Sequence, residues 1–527
     1  MTTELLQQAT DTHEMCDLPI RLWPRLLALI IGLALLTPTL LLLNDAPAPW
    51  WDEGWTMLVA RHWVADGFYG RMPATGAEGP GLSAAFPTTA LVALSFKLFG
   101  VGVWQARLPS VIVTIISLVL LYTLARRLYD RTVAWGTLAI VLLTGSHLDV
   151  NPVHVGRQVL AEPIQICALL GGYLAFLPTA RRPGWGWPAA LLLWGLALVA
   201  KQQTLPFWVA SLLLPFGLAL WRRSWRVAAV LLGALAGGWL SWKLLDTGIA
   251  LLLAGHTAPS PLLPGLTRAI ALALTPSARE LALTVLLAAG MPAILGISWA
   301  TAQTVRRAGV LDLDDRHELV RLMLLSLAAS WLLWYAALSI GWPRYAYPAL
   351  VLASPFAAAL ASQLTGGVRI RSTVKQIADS LLRGQSHQKA AGTFLVLVLG
   401  GLLIPVTASQ LYLSFTQRRD DAVFRVIDFL NTQTAPQALV ESYESEIFPL
   451  LRRPYHYPPD ATNVQIIRRI EHHEIVDYDY NPLVANPDYL VIGVVGRSSG
   501  LYDDILARGA FRLIRHERLY DIYARVR

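Results

Sequence analysis

The chain has 527 residues, is 55% hydrophobic with a mean hydropathy of +0.48, and carries a net charge of +8. That length and apolar content exclude a single soluble core and place it among polytopic membrane proteins. The positive charge is not a nucleic-acid signature, because most of it lies in short segments between apolar runs, where it encodes orientation in a bilayer.

Residues 1–20 are polar and contain Asp11, Glu14 and Asp17, and no short apolar core with a small-residue cleavage site follows them. The uncharged run from Leu26 to Leu43 therefore reads as a retained first span, not a removed signal peptide. Immediately after it comes Trp50-Trp51-Asp52-Glu53-Gly54, with Trp55 and Trp63 close behind. Two short acidic side chains at a membrane surface can mark a site. A solvated acidic loop inside an aromatic belt is the competing reading.

The segment 44–108 is rich in Gly and Pro and reads as an outer loop with interfacial helices. Thr89–Phe99 is apolar but short. Taking it as interfacial puts Arg126, Arg127 and Arg131 on the opposite side from Asp52, as the positive-inside rule prefers. The later runs then alternate, at 109–125, 133–147, 162–178, 188–200, 204–220, 227–245, 281–303, 321–340, 345–362 and 391–413. With the first, these make about eleven spans. Sorted this way, about 19 of the 43 Lys and Arg fall on the cytoplasmic side and about 10 on the outer side of the membrane part. The N-terminus is thus expected inside, with Asp52 and Glu53 outside. Residues 414–527 alternate helix and strand signals and read as a small outer α/β domain. Helices are expected at Val423–Leu430 and Val464–Glu471, and strands at Ala438–Ser442, Tyr489–Val495, Phe511–Arg515 and Leu519–Ala524. The expected division is a tail (1–20), a membrane domain (21–413) and this outer domain (414–527).

On the outer side lie further charged groups. Arg157 and Glu162 bracket the start of an apolar run, where Glu162 suits either a site or the favoured first turn of a helix. Lys201, one of five lysines, ends another run, and Arg344 stands between Trp342 and Tyr345. Each suits either a phosphate-binding role or snorkelling to the headgroups. Two carboxylates and three cations on one face suggest a site for a phosphate-bearing amphiphile. Cys16 and Cys167 suggest neither a disulfide nor a metal site, and His256, His472 and His473 lack metal-ligand spacing, so a divalent metal is not supported. No phosphate-cradling Gly-rich loop is present, and nucleotide use is not supported either.

Taken in order, Trp51-Asp52-Glu53 after a first span, Phe99-Gly100, Ala106-Arg107-Leu108-Pro109-Ser110 and Leu124-Ala125-Arg126-Arg127-Leu128-Tyr129 resemble the GT-C superfamily of membrane glycosyltransferases. Arg157 with Glu162, Gly195-Leu196-Ala197 leading to Lys201, and Arg344-Tyr345-Ala346-Tyr347-Pro348 extend the likeness over residues 20–360. It is nearest to bacterial relatives of the protein O-mannosyltransferases and of the lipid A aminoarabinose transferase. One departure is Ala85-Phe86-Pro87-Thr88, where many relatives have His-Pro-Pro and so a group that helps build the donor site.

The resemblance implies a multi-pass enzyme of the cytoplasmic membrane that moves a sugar from a polyprenyl-phosphate donor to an outer lipid, glycan or protein, with inversion. It implies Asp52 as the base, with Glu53 beside it. Lys201, Arg344 and Arg157 are then the expected donor-phosphate groups, and Glu162, Glu78 and His256 the expected substrate-binding groups. A transporter or lipid flippase is the alternative. It would favour mid-membrane ionisable groups and repeated halves, and neither is evident in the sequence.

Overall fold

The computed structural model describes residues 42–44, 46–81, 83–144, 147–179, 184–258, 273–365, 388–416, 420–471 and 473–526. The run 26–43 lies almost wholly outside these residues, and Cys16, Arg181, Arg182 and His472 lie outside them too. Residues 44–527 form one compact unit.

Helix α1 (Trp51–Asp66) carries Asp52 and Glu53 in its first turn, where exposed backbone N–H groups favour negative charge. It ends at Gly67, whose left-handed backbone (φ 69°) lets its N–H reach back to the His62 carbonyl. Helix α2 (Phe86–Phe99) starts with Pro87 in its first turn. Its 14 residues fall short of the roughly 20 that a bilayer crossing requires. Then follow α3 (Val103–Leu128), α4 (Arg131–Leu143), α5 (Glu162–Phe176), α6 (Gly186–Ala200), α7 (Leu205–Trp221) and α8 (Trp225–Leu252). Further helices are α9 (Pro276–Arg306), which contains a π turn at Leu286–Gly290, then α10 (Arg316–Leu338), α11 (Pro343–Thr365) and α12 (Gln388–Thr416).

Among the described residues six helices are long and apolar enough to cross a membrane: α3, α7 with the preceding turn from Gln202, α8, α9, α10 and α11. The fold is that of a multi-pass membrane protein. Its core is closed where small residues admit large ones, the packing mode available when lipid gives helices no hydrophobic reason to associate. A Cβ on Gly172 would sit 2.4 Å from the Trp194 indole nitrogen, and one on Gly238 2.4 Å from the Trp208 ring. At Gly296 the Ala357 backbone comes within 2.3 Å of that position, bringing α9 against α11.

The C-terminal region forms a five-stranded mixed sheet in the order β2-β1-β3-β5-β4. After α13 (Ala422–Gln433) come β1 (Val440–Ser442), β2 (Tyr455–His456), α14 (Asp460–Glu471), β3 (Tyr489–Ile492), α15 (Val494–Ser499), α16 (Asp503–Ala507), β4 (Phe511–Glu517) and β5 (Tyr520–Arg525). Strand β1 is parallel to β2 and β3, while β5 runs antiparallel to β3 and β4. One apolar cluster joins Val423, Val426, Ile427 and Leu430 of α13 to Val440, Val491 and Ile522 of the sheet, and to Trp55 and Leu58 of α1. A second joins Leu490 and Ile492 to Ile466, Tyr502 and Ile505 on the other face.

The expected helices and strands of this region are present; the third strand is shorter than expected, and β2 and the short helices α15 and α16 are additional. The third strand stops at Ile492, because Gly493 turns the chain and α15 begins at Val494. The Glu444 carboxylate holds that corner by accepting the N–H groups of Gly493 (3.1 Å) and Gly496 (2.8 Å). Strand β2 was not expected, since two residues carry no readable alternation.

Candidate active site at helix α1

Adjacent in sequence, Asp52 and Glu53 have different partners. Glu53 is fully buried and accepts two hydrogen bonds from Arg107 of α3, from Nε at 2.8 Å and from Nη2 at 2.6 Å. The Val159 N–H adds a third at 3.0 Å, and Arg107 also donates to the Pro47 carbonyl at 2.7 Å. This two-pronged pair is spent on fixing α1 against α3 and the 157–160 segment. Asp52, 8% exposed, receives Ser83 Oγ on Oδ1 at 2.9 Å and meets Arg344 Nη1 with Oδ2.

Arg344 opens α11, after a tight turn that depends on Gly341. That glycine has φ +85°, and a Cβ there would lie 2.6 Å from the Ala278 carbonyl. The Arg344 guanidinium lies over three rings, those of Trp342 (4.9 Å), Trp50 (5.1 Å) and Tyr345 (5.3 Å). Such an aromatic wall holds a cation in place without neutralising it. Arg344 Nε is buried with no hydrogen-bond partner among the described residues.

Lys201 ends α6, where the backbone turns extended, and its ammonium lies 4.8 Å over the same Tyr345 ring. It pairs with Glu162, at the first turn of α5 and 2% exposed. Asp52, Arg344, Lys201 and Glu162 thus form a chain with the two cations side by side on one tyrosine and an acid at each end.

The other expected residues sit apart from this chain. Arg157 is fully buried, donates through Nε to the Ala46 carbonyl at 2.8 Å and stacks on Phe415 at 4.5 Å. Glu78 receives Tyr457 OH at 2.5 Å and lies 3.4 Å from Arg71, which grips Asp460 with two bonds of 2.9 and 3.0 Å. Its place is the seam between the loop that follows α1 and the C-terminal sheet. His256 is exposed, with Nδ1 3.1 Å from the Gly67 carbonyl, and braces the end of α1. Among the described residues no three or more His, Cys, Asp and Glu side chains converge as metal ligands would.

Sequence reasoning missed Ser83, for which no signal exists, and the pairing of Glu53 with Arg107. The second left a trace, because an arginine at the head of a long apolar helix needs a buried partner.

The C-terminal region touches the same helix. A Cβ on Gly54 would lie 2.4 Å from the Ser445 backbone, and Ser445 Oγ donates to the Trp51 carbonyl at 2.5 Å. Trp51 Nε1 donates to the Tyr443 carbonyl at 3.2 Å, and Arg61 caps the carbonyls of Phe448, Pro449 and Leu451. Just inside this contact lie two buried acids. Burial raises Glu444 to about 7 against the pull of the Gly496 and Gly493 N–H groups. Burial, and then the charge of Glu444, raise Glu446 to about 8. Glu446 Oε1 accepts Tyr520 OH at 2.8 Å, and its Oε2 has no partner among the described residues.

The architecture, a polytopic helical membrane part with a small C-terminal sheet, is shared with solved membrane proteins. Residues 85–242 match the family model of dolichyl-phosphate-mannose-protein mannosyltransferases. Over 95% of this chain and 98% of the other, the structure superposes on ArnT from Cupriavidus metallidurans bound to undecaprenyl phosphate, with a TM-score of 0.56 at 15% identity. The apo state of that ArnT gives 0.54 at 14% identity over the same shares. The apo oligosaccharyltransferase of Archaeoglobus fulgidus gives 0.50 at 12% identity, over 90% of this chain and 71% of the other. No curated protein matches the chain in sequence.

Proposed function

We propose that the protein is a membrane glycosyltransferase that takes a sugar from a polyprenyl-phosphate donor and transfers it, with inversion, to an acceptor on the outer face of the cytoplasmic membrane. The observation that carries this reading is the Asp52–Arg344 contact with Lys201 on the same Tyr345 ring. It joins a carboxylate able to take a proton to two cations able to hold a phosphate, within a fold shared with a protein bound to undecaprenyl phosphate.

In this reaction the acceptor hydroxyl attacks the anomeric carbon and loses its proton to Asp52. The bond between that carbon and the phosphate oxygen breaks, and the polyprenyl phosphate leaves with both electrons of the bond. Arg344 and Lys201 stabilise the departing charge where little water screens it. The donor phosphate competes with Asp52 for Arg344, so donor binding releases the base. Glu53 keeps α1 aimed through Arg107, and Arg157 supports the 46–50 approach to the helix. In this reading the N-terminus lies inside and residues 414–527 outside, as the arginine distribution favours.

The test is release of polyprenyl phosphate from a panel of polyprenyl-phosphate sugars by purified protein with membrane extract as acceptor. Release by wild type and its loss in Asp52→Asn supports the reading. Movement of the intact donor across a vesicle membrane without cleavage would assign the fold to transport.

A further inference from the structure

We infer that Glu162 is a counter-acid to the phosphate, discriminating the donor from the product by charge. This rests on the donor site proposed above. Glu162 is 2% exposed and holds Lys201, which shares the Tyr345 ring with Arg344, which in turn holds Asp52. Two acids and two cations give this chain no net formal charge. The sugar donor is a phosphodiester with one negative charge. The transfer turns it into a phosphate monoester, which carries roughly −1.5 to −2 at neutral pH.

Without Glu162 the two cations would favour the more highly charged product and retain it. With Glu162 on Lys201, each added negative charge meets repulsion from a group held within a salt bridge of the phosphate's own partner. The repulsion grows with phosphate charge, so it weighs more on the monoester than on the diester. A carboxylate that only positioned Lys201 would act in the opposite sense, since its loss would misplace the cation and weaken phosphate binding.

Undecaprenyl phosphate and its methyl diester serve as probes, with the full-length protein in nanodiscs at pH 8. Wild type is expected to bind the diester at least as tightly as the monoester. Glu162→Gln is expected to tighten monoester binding by about tenfold and to reverse the preference, while Lys201→Gln weakens both ligands. Weaker or unchanged monoester binding in Glu162→Gln, with Lys201→Gln still impaired, overturns the counter-acid and leaves the donor site standing. If Glu162→Gln does not fold, the wild-type comparison decides alone, since a clear preference for the monoester overturns the inference. Failure of wild type to bind either probe overturns the donor site itself.

Discussion

Arg107 closes on Glu53 with two parallel hydrogen bonds inside a site from which both side chains are wholly excluded from solvent. That pair determines how the neighbouring acid is used, because it fixes the first turn of α1 and leaves Asp52 turned toward Arg344 and Ser83. Removing one member of a buried ion pair strands the other, at a cost of about 3–5 kcal/mol. Glu53→Ala and Arg107→Ala should each lower the melting temperature of the purified protein sharply, whereas Asp52→Asn should leave it near wild type. Equal melting temperatures for all three would remove the structural role from Glu53.

Arg344 is enclosed by rings, so its replacement should not be conservative even as lysine. Lysine keeps the charge but loses the flat fork that reaches Asp52 while stacking on Trp50, Trp342 and Tyr345. Affinity for undecaprenyl phosphate, measured by titration, should fall roughly tenfold or more in Arg344→Gln, because a lost charge-assisted hydrogen bond costs about 1.5–3 kcal/mol. Arg344→Lys should fall in between.

Gly54 allows the backbone of α1 to touch the backbone at Ser445 and Glu446. Gly54→Ala therefore has to push the C-terminal sheet away from the helix that bears Asp52. Activity and thermal stability should fall together. Gly217→Ala is the control, since a Cβ there meets nothing within 4 Å, and it should be neutral by the same melting assay.

The buried acids of the C-terminal region give a pH dependence of definite sign. Glu446 faces Glu444, Tyr520 and Glu53, and its pKa is raised from 4.5 to about 8. A carboxyl whose folded value lies above its unfolded value contributes stability that is present below the unfolded value and is lost as pH rises through the folded one. The melting temperature should therefore fall as pH rises from 6 to 9, and Glu446→Gln should flatten that fall. A wild-type melting temperature constant over this interval would show that Glu446 ionises without penalty.

Much of the architecture was legible, because long uncharged runs have few structural alternatives. Asp52 stood out for a similar reason, as an acid beside the membrane with no way to snorkel. Partnership was not legible. Asp52 and Glu53 are neighbours in sequence, yet their cations come from α11 and α3, so no local spacing separates the two roles. Lys201 and Arg344 could be marked as cations at the ends of apolar runs, but only tertiary packing brings both to Tyr345. Arg157 carried the same sequence signal as these two and lies instead on the Ala46 carbonyl and Phe415. The end of β3 was hidden because Val494 and Val495 are good strand residues, and a distant carboxylate, Glu444, turns the chain before them.

In the proposed reaction Asp52 is the base and Glu53 its scaffold. The most direct measurement is single-turnover release of undecaprenyl phosphate from a bound sugar donor, by wild type, Asp52→Asn and Glu53→Gln, each first shown to bind undecaprenyl phosphate. Asp52→Asn should bind the lipid phosphate and release it from the donor on the order of 100- to 10,000-fold more slowly. Folded Glu53→Gln should retain turnover. Full-rate release by Asp52→Asn, with none from folded Glu53→Gln, would exclude Asp52 as the base and pass the role to Glu53.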